Sequence, residues 1–186
     1  PFLAGCLVLL FASHCGPEQE FTWIDRLKEL GMADCIGNPD AQIEMTVIMS
    51  LGCDPCRERW QAVYPAIRSA VEAGDLHLTL VAIMADTEKN RAILEARAYT
   101  RSVDDYVTLV LFDDLVQRYS DLDDTVSPQE ILALAGIANE LGPSGVDWSA
   151  RIEQALAINA GAGLSLVPVF LVNGVPLSAD NPFDLK

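Results

Sequence analysis

The chain has 186 residues, a length typical of one domain with room for a small appendage. Its 27 acidic and 12 basic residues give a formal net charge of −15, which argues against nucleic-acid binding because a phosphate backbone needs a basic surface. Hydrophobic residues make up 51% of the chain, so we expect a buried core and not a globally disordered protein.

An apolar segment that includes the run 7–12 opens the sequence. It is too short to span a bilayer, so segment 1–17 is predicted to be the remnant of a signal sequence or of a membrane anchor. Cys15 follows the apolar run and precedes a polar stretch, as a lipidated cysteine does, but His14 before it is unusual for a lipidation motif. Lipid attachment at Cys15 therefore stays an open alternative.

Segment 18–42 is predicted to hold an N-terminal helix and a linker. Apolar residues recur every three positions from Phe21 to Leu30, which predicts a short amphipathic helix. The tetrapeptide 37–40, Gly-Asn-Pro-Asp, is a turn signal. Cys35 lies between the two and is expected to be a small buried side chain.

A strand, a helix and a second strand come next. Residues 43–50 and 76–84 are apolar runs of strand length, and the amphipathic stretch between them ends at Gly74. Pro65 falls inside that helix and is expected to kink it. A strand–helix–strand unit of this length predicts that the two strands are parallel neighbours.

The most informative motif is Cys53-Asp54-Pro55-Cys56, which stands at the start of that helix. A helix N-terminus offers unpaired N–H groups and the positive end of the helix dipole, and both stabilise a thiolate, the reactive form of cysteine. A C-x-x-C pair can also be half of a zinc site. However, the chain has no second C-x-x-C and no H-x3-5-H, and its two histidines are distant from the motif in sequence. The spacing therefore favours a redox dithiol and predicts no metal.

Helical periodicity dominates the region from about 86 to 160. It recurs at 88–99, 104–119, 128–141 and 147–160, and the one strand-like piece is 107–112. These patterns predict a helical insertion. The aspartates between 113 and 124 lack the spacing of a calcium loop, so we interpret them as a solvated acidic face.

The segment 167–177 reads as a β-hairpin. An apolar run beginning at Val167-Pro168 reaches Asn173-Gly174, a dipeptide typical of two-residue hairpin turns, and a second short run follows. Pro176 indicates that this second strand lies at a sheet edge.

Three of these motifs, in this order, resemble the thioredoxin superfamily and, more narrowly, the DsbA-like branch of bacterial thiol:disulfide oxidoreductases. They are residues 37–41 (GNPDA), 53–56 (CDPC) and 167–174 (VPVFLVNG), and the resemblance covers about residues 36–186. The ending 181–185 (NPFDL) is also similar to thioredoxin-like domains fused to vitamin K epoxide reductase homologues. The resemblance implies an α/β thioredoxin fold over 43–186, with a helical insertion between the βαβ unit and the C-terminal β-hairpin.

The resemblance also implies a role for each site residue. Cys53 would be the exposed nucleophile and Cys56 the buried resolving cysteine. Pro168 would be in the cis form close to the dithiol, and the backbone of Val167 would pair with a substrate strand. One departure is Val47, which stands where the family usually carries a buried acid that accepts the proton of the resolving thiol.

Two residues between the cysteines are expected to tune the redox poise. The charge of Asp54 opposes a neighbouring thiolate, which predicts a pair less oxidising than that of a strongly oxidising DsbA. Pro55 stiffens the turn and leaves Cys56 well placed to reclose the disulfide.

The sequence thus favours a periplasmic or otherwise extracytoplasmic protein-disulfide oxidoreductase that needs no cofactor. Its expected partners are thiol- or disulfide-containing proteins and a membrane or soluble redox partner, with a membrane anchor left open. The alternative is a non-catalytic thioredoxin-fold binding module or a copper(I) chaperone, since copper(I) favours thiolate ligands.

Overall fold

The computed structural model describes residues 22–137, 144–163 and 166–177, which form six helices and five strands. In chain order they are α1 Thr22–Glu29, β1 Ala33–Gly37, β2 Ile43–Met49, α2 Asp54–Ala73, β3 Leu76–Ala82, α3 Glu88–Arg101, α4 Asp105–Arg118, α5 Pro128–Leu134, α6 Trp148–Gly161, β4 Val169–Val172 and β5 Val175–Pro176. The expectations for segment 1–17, for Cys15 and for the ending 181–185 lie outside the described residues.

The strands form one sheet in the order β1-β3-β2-β4-β5. β2 and β3 are parallel, with Met45 beside Leu78, and α2 connects them. β4 runs antiparallel to β2 on its other side, with Met45 beside Val172. The predicted βαβ unit and the antiparallel placement of the C-terminal hairpin are therefore confirmed.

The helices α3 to α6 all lie between β3 and β4 in the chain, so the predicted helical insertion is confirmed. The strand-like piece 107–112 lies within α4, because Leu109, Phe112 and Val116 are buried at helical spacing. α5 ends at Leu134, earlier than its predicted end at residue 141. Within the described ranges, no helix combines the length and the apolar character needed to cross a membrane.

β1 is a strand that the sequence did not reveal. Its second residue is Asp34, a residue type that is depleted in strands, and contacts with distant residues explain its position. The carboxylate of Asp34 accepts hydrogen bonds from Arg97 Nε at 2.9 Å and from Arg101 Nη1 at 2.6 Å. Asp34 and Arg97 are both fully buried, so an ion-pair network joins β1 to α3 in the interior.

The prediction that Cys35 is a buried side chain is wrong. Successive residues of a strand point to opposite faces, so Cys35 points away from the buried side occupied by Asp34. Cys35 is exposed, and its Sγ lies 4.0 Å from Thr79 Oγ1 on the neighbouring strand.

The C-terminal hairpin has the predicted turn. Asn173 has φ 47° and Gly174 has φ 77°, and positive φ at both central residues is the requirement of a type I′ turn. Asn173 also exchanges hydrogen bonds with the backbone of Glu44, each of 2.8 Å. The hairpin is thereby fastened to the start of β2, and Pro168 is placed at the entrance to β4.

Candidate active site

The two cysteines of the motif sit at the junction of β2 and α2. The strand ends at Met49, and the Cys53 N–H donates to the Ser50 carbonyl at 3.2 Å to close a tight turn, residues 50–53, which we call the dithiol turn. Cys53 is the N-cap of α2, with an extended backbone. Pro55 in the first helical turn costs no hydrogen bond, because the first N–H groups of a helix have no partner within it. The Cys53 sulfur therefore stands at the positive end of a 20-residue helix.

The two sulfurs differ in exposure. Cys53 is half-buried, whereas Cys56 is completely buried, and both are free thiols. Burial first, and then the hydrogen bond to Cys53, raise the pKa of the Cys56 thiol to about 12. At neutral pH Cys56 is thus a protonated donor next to Cys53, and Cys53 is the more accessible of the two sulfurs.

Alkylation of the reduced protein at neutral pH should modify Cys53 and spare Cys56. Only a thiolate reacts quickly with iodoacetamide, and Cys56 is both fully buried and protonated, because its pKa of about 12 lies well above neutrality. Peptide mapping by mass spectrometry measures both sites, with the exposed Cys35 as an internal reference. Equal rates at Cys53 and Cys56 in the folded protein would contradict the assignment of their environments.

The charges next to the dithiol are paired. Asp54 forms an ion pair with Arg57 one turn later, and Arg57 Nη1 also donates to the Leu51 carbonyl at 3.1 Å. The carboxylate of Asp54 is largely exposed, and the guanidinium of Arg57 is mostly covered. Arg57 therefore offsets part of the negative charge that Asp54 places beside Cys53, and it fixes the dithiol turn to α2.

The Val167–Pro168 peptide bond is cis, as the resemblance implies. Pro168 and Pro55 line the same cleft, of about 410 Å³, so the loop before β4 and the start of α2 face each other. The cleft is mainly apolar, and its lining consists of Pro55, Arg59, Pro168, Val169, Phe170, Pro176 and Leu177. This arrangement can hold an extended apolar segment beside Pro55, at the start of α2.

The departure at Val47 has a structural consequence. Val47 is fully buried in β2, so an apolar side chain occupies the position where the resemblance leads one to expect an acid. Glu44 does not replace it, because Glu44 is exposed at the far end of the strand from the dithiol turn. His77 lies beside Glu44 in the neighbouring strand, likewise away from the cysteines.

Two aspartates of segment 113–124 accept hydrogen bonds, one from a distant residue and one from a nearby residue. Asp113 accepts from the buried indole of Trp60 at 3.0 Å, and Asp123 accepts from the backbone of Thr125 at 2.8 Å. Across the part of the chain that the structure describes, no group of three or more His, Cys, Asp and Glu side chains is arranged to hold a metal ion.

Comparisons with known proteins agree with this geometry. A family model described as Thioredoxin matches residues 29–185. No curated protein matches the chain. Among solved structures, BdbD from Bacillus subtilis is similar with a TM-score of 0.61 at 18% identity, over 85% of this chain and 88% of that one.

Two further solved structures show the same fold. MdbA from Corynebacterium diphtheriae, a thiol-disulfide oxidoreductase, has a TM-score of 0.62 at 16% identity, over 82% of this chain and 87% of its own. Chlamydia trachomatis DsbA has a TM-score of 0.53 at 21% identity, over 77% of this chain and 81% of its own. At these identities the likeness concerns the fold.

Proposed function

The chain belongs to the thioredoxin family and has the fold of its DsbA-like oxidoreductases, and from this premise we propose that it exchanges disulfides with protein substrates through Cys53 and Cys56. The observation that carries the proposal is the asymmetry of the dithiol. A half-exposed sulfur at a helix N-terminus lies beside a fully buried one, and Pro55, which stands between the two cysteines in sequence, lines one cleft together with Pro168. The half-exposed Cys53 sulfur is suited to form a mixed disulfide with a substrate, and the buried Cys56 sulfur is suited to release that substrate.

The exchange proceeds through a mixed disulfide in either direction. In oxidation of a substrate, a substrate thiolate attacks Cys53 of the Cys53–Cys56 disulfide, and Cys56 leaves as a thiolate that takes up a proton. A second substrate thiolate then attacks the substrate sulfur bound to Cys53 and releases Cys53. The substrate loses two electrons and two protons as its disulfide forms, and the dithiol of the protein gains them.

Substrate is proposed to lie along the cleft opposite the dithiol turn. The backbone of Val167 would pair with an extended substrate segment, and Pro168 would hold that segment against Cys53. Apolar substrate side chains would occupy the space lined by Phe170 and Leu177. Such a site would bind substrates through main-chain hydrogen bonds and apolar contacts, so it would accept unfolded proteins with varied sequences.

We propose an extracytoplasmic location, periplasmic in a bacterium with two membranes, on the basis of the apolar segment 1–17. Disulfides persist in such compartments. A membrane or soluble redox partner would then return the dithiol to its working oxidation state.

A turnover assay tests the proposal. The wild type should catalyse oxidation of a reduced unfolded protein by glutathione disulfide, and Cys53→Ser should reduce this activity to the uncatalysed rate. Cys35→Ser is the matched control, since Cys35 is an exposed free thiol outside the site. If Cys53→Ser and the wild type act alike, the enzymatic function is wrong and a binding module is the better description.

We propose that the reduction potential of the Cys53–Cys56 pair depends on Asp54. Asp54→Asn removes a negative charge beside Cys53 and leaves Arg57 unpaired, and both changes stabilise the thiolate and hence the reduced form. We expect the reduction potential to rise by about 10–20 mV, a modest value because the Asp54 carboxylate is largely exposed. Equilibration with glutathione measures the shift.

Glu72→Gln is the control for that shift. It changes the net charge by the same amount near the far end of α2, where Glu72 pairs with Arg68. A potential that is unchanged or lower in Asp54→Asn, or an equal rise in Glu72→Gln, would show that Asp54 does not set the poise.

A further inference from the structure

An aromatic ring from the helical insertion packs against the dithiol turn. Tyr119 follows the last residue of α4, and a Cβ added at Gly52 would lie 3.3 Å from Cε1 of its ring and 3.9 Å from Oη. Gly52 is not among the glycines with positive φ, so its backbone conformation is open to other residues. A side chain larger than glycine directly before Cys53 would therefore press on the Tyr119 ring.

The ring itself is held in place by α3. Tyr119 Oη donates to Asn90 Oδ1 at 3.0 Å, and the buried Asn90 donates in turn to the Ala85 carbonyl at 2.9 Å. Lys89 Nζ lies 4.8 Å from the ring centroid, within the range of a cation–π contact. These two contacts hold the Tyr119 ring in one position, where it packs against the dithiol turn at Gly52.

We propose that Tyr119 is a positioning residue for disulfide exchange, which keeps Cys53 next to Cys56 by bracing the turn at Gly52. This inference rests on the proposed function. When the two thiols react with glutathione disulfide, Cys53 first forms a mixed disulfide and releases one glutathione thiol. Cys56, as a thiolate, then displaces the second glutathione, so the protein loses two electrons and two protons and glutathione gains them.

The second step is intramolecular, and its equilibrium depends on the effective concentration of Cys56 at the Cys53 sulfur. Without the Tyr119 ring, the dithiol turn should sample more conformations, including some in which the two sulfurs are farther apart. The Cys53–Cys56 disulfide should then be less stable relative to the dithiol, even where the rest of the fold is unchanged.

The equilibrium constant with glutathione tests this directly. Tyr119→Ala should lower the constant for disulfide formation by about tenfold, the size of a typical coupling between contacting residues. Tyr119→Phe keeps the ring but loses the hydrogen bond to Asn90, so its constant should fall between those of the wild type and Tyr119→Ala. Tyr106→Ala is the matched control. Tyr106 lies in α4, the helix that Tyr119 follows, and its ring also contacts a cation, Arg68 at 5.4 Å. Arg68 is about four turns of α2 away from the dithiol.

A double-mutant cycle with Gly52→Ala separates the contact from a general loss of stability. In the wild-type background the added methyl group meets the ring and should lower the constant, whereas in the Tyr119→Ala background it should have little further effect. Equal effects of Gly52→Ala in both backgrounds, or a constant in Tyr119→Ala equal to that in Tyr106→Ala, would overturn the inference. If Tyr119→Ala does not fold, Tyr119→Leu is measured in its place. The inference is then overturned if Tyr119→Leu and Gly52→Ala both have the same equilibrium constant for disulfide formation as the wild type. A wild type that forms no Cys53–Cys56 disulfide would contradict the proposed function itself.

Discussion

Replacing Cys56 by serine should convert the protein from a catalyst into a trap for its substrates. Cys53 keeps its place at the helix N-terminus and still forms mixed disulfides, but the neighbouring sulfur that releases the substrate is gone. We expect turnover to fall by at least about a hundredfold, because an intermolecular thiol must replace an intramolecular one of high effective concentration. Turnover assays and gel electrophoresis without reductant measure the two effects.

The control for this trap is the double variant Cys35→Ser, Cys56→Ser. Cys35 is more exposed than Cys53 and Cys56, and covalent complexes that depend on Cys53 should persist without it. Complexes that vanish with Cys35, or full turnover in Cys56→Ser, would contradict the roles assigned to the two cysteines.

Replacing Asp34 by alanine should destabilise the fold more than a change to any other ion pair among the described residues. The carboxylate is fully buried and accepts hydrogen bonds from Arg97 and Arg101, and Arg97 is itself fully buried. Removal leaves a buried guanidinium without its counter-charge, which costs about 3–5 kcal/mol in the free energy of unfolding. Urea unfolding measures the change.

Asp25→Ala provides the comparison, since Asp25 pairs with Lys28 on the surface of α1. An exposed pair of this kind contributes about 0–1 kcal/mol. If Asp34→Ala and Asp25→Ala lower the free energy of unfolding by similar amounts, the buried network does not have the role assigned to it.

The parts of the fold that the sequence predicted are those with a local signal. The βαβ unit follows from two apolar runs on either side of an amphipathic helix, and the hairpin follows from Asn173-Gly174, whose positive φ angles a type I′ turn requires. The dithiol at the start of α2 likewise follows from its spacing and from its place after an apolar strand.

β1 and Tyr119 could not be predicted because their roles depend on residues far away in the chain. Asp34 is tolerated in a strand only because Arg97, 63 positions later, reaches it in the interior. The same strand turns Cys35 outward, which composition alone cannot show. Tyr119 reads as an ordinary residue at the end of a helix, and only the folded chain brings its ring to Gly52.

A single-turnover experiment shows whether Cys53 and Cys56 transfer their disulfide to another protein, as we propose. The oxidised protein is mixed with a reduced unfolded substrate, the reaction is stopped by acid, free thiols are alkylated, and the disulfides are mapped by mass spectrometry. We expect the Cys53–Cys56 disulfide to disappear as substrate disulfides appear in equal amount, with a transient bond between Cys53 and the substrate. Substrate disulfides that form while the Cys53–Cys56 disulfide stays intact would contradict this proposal.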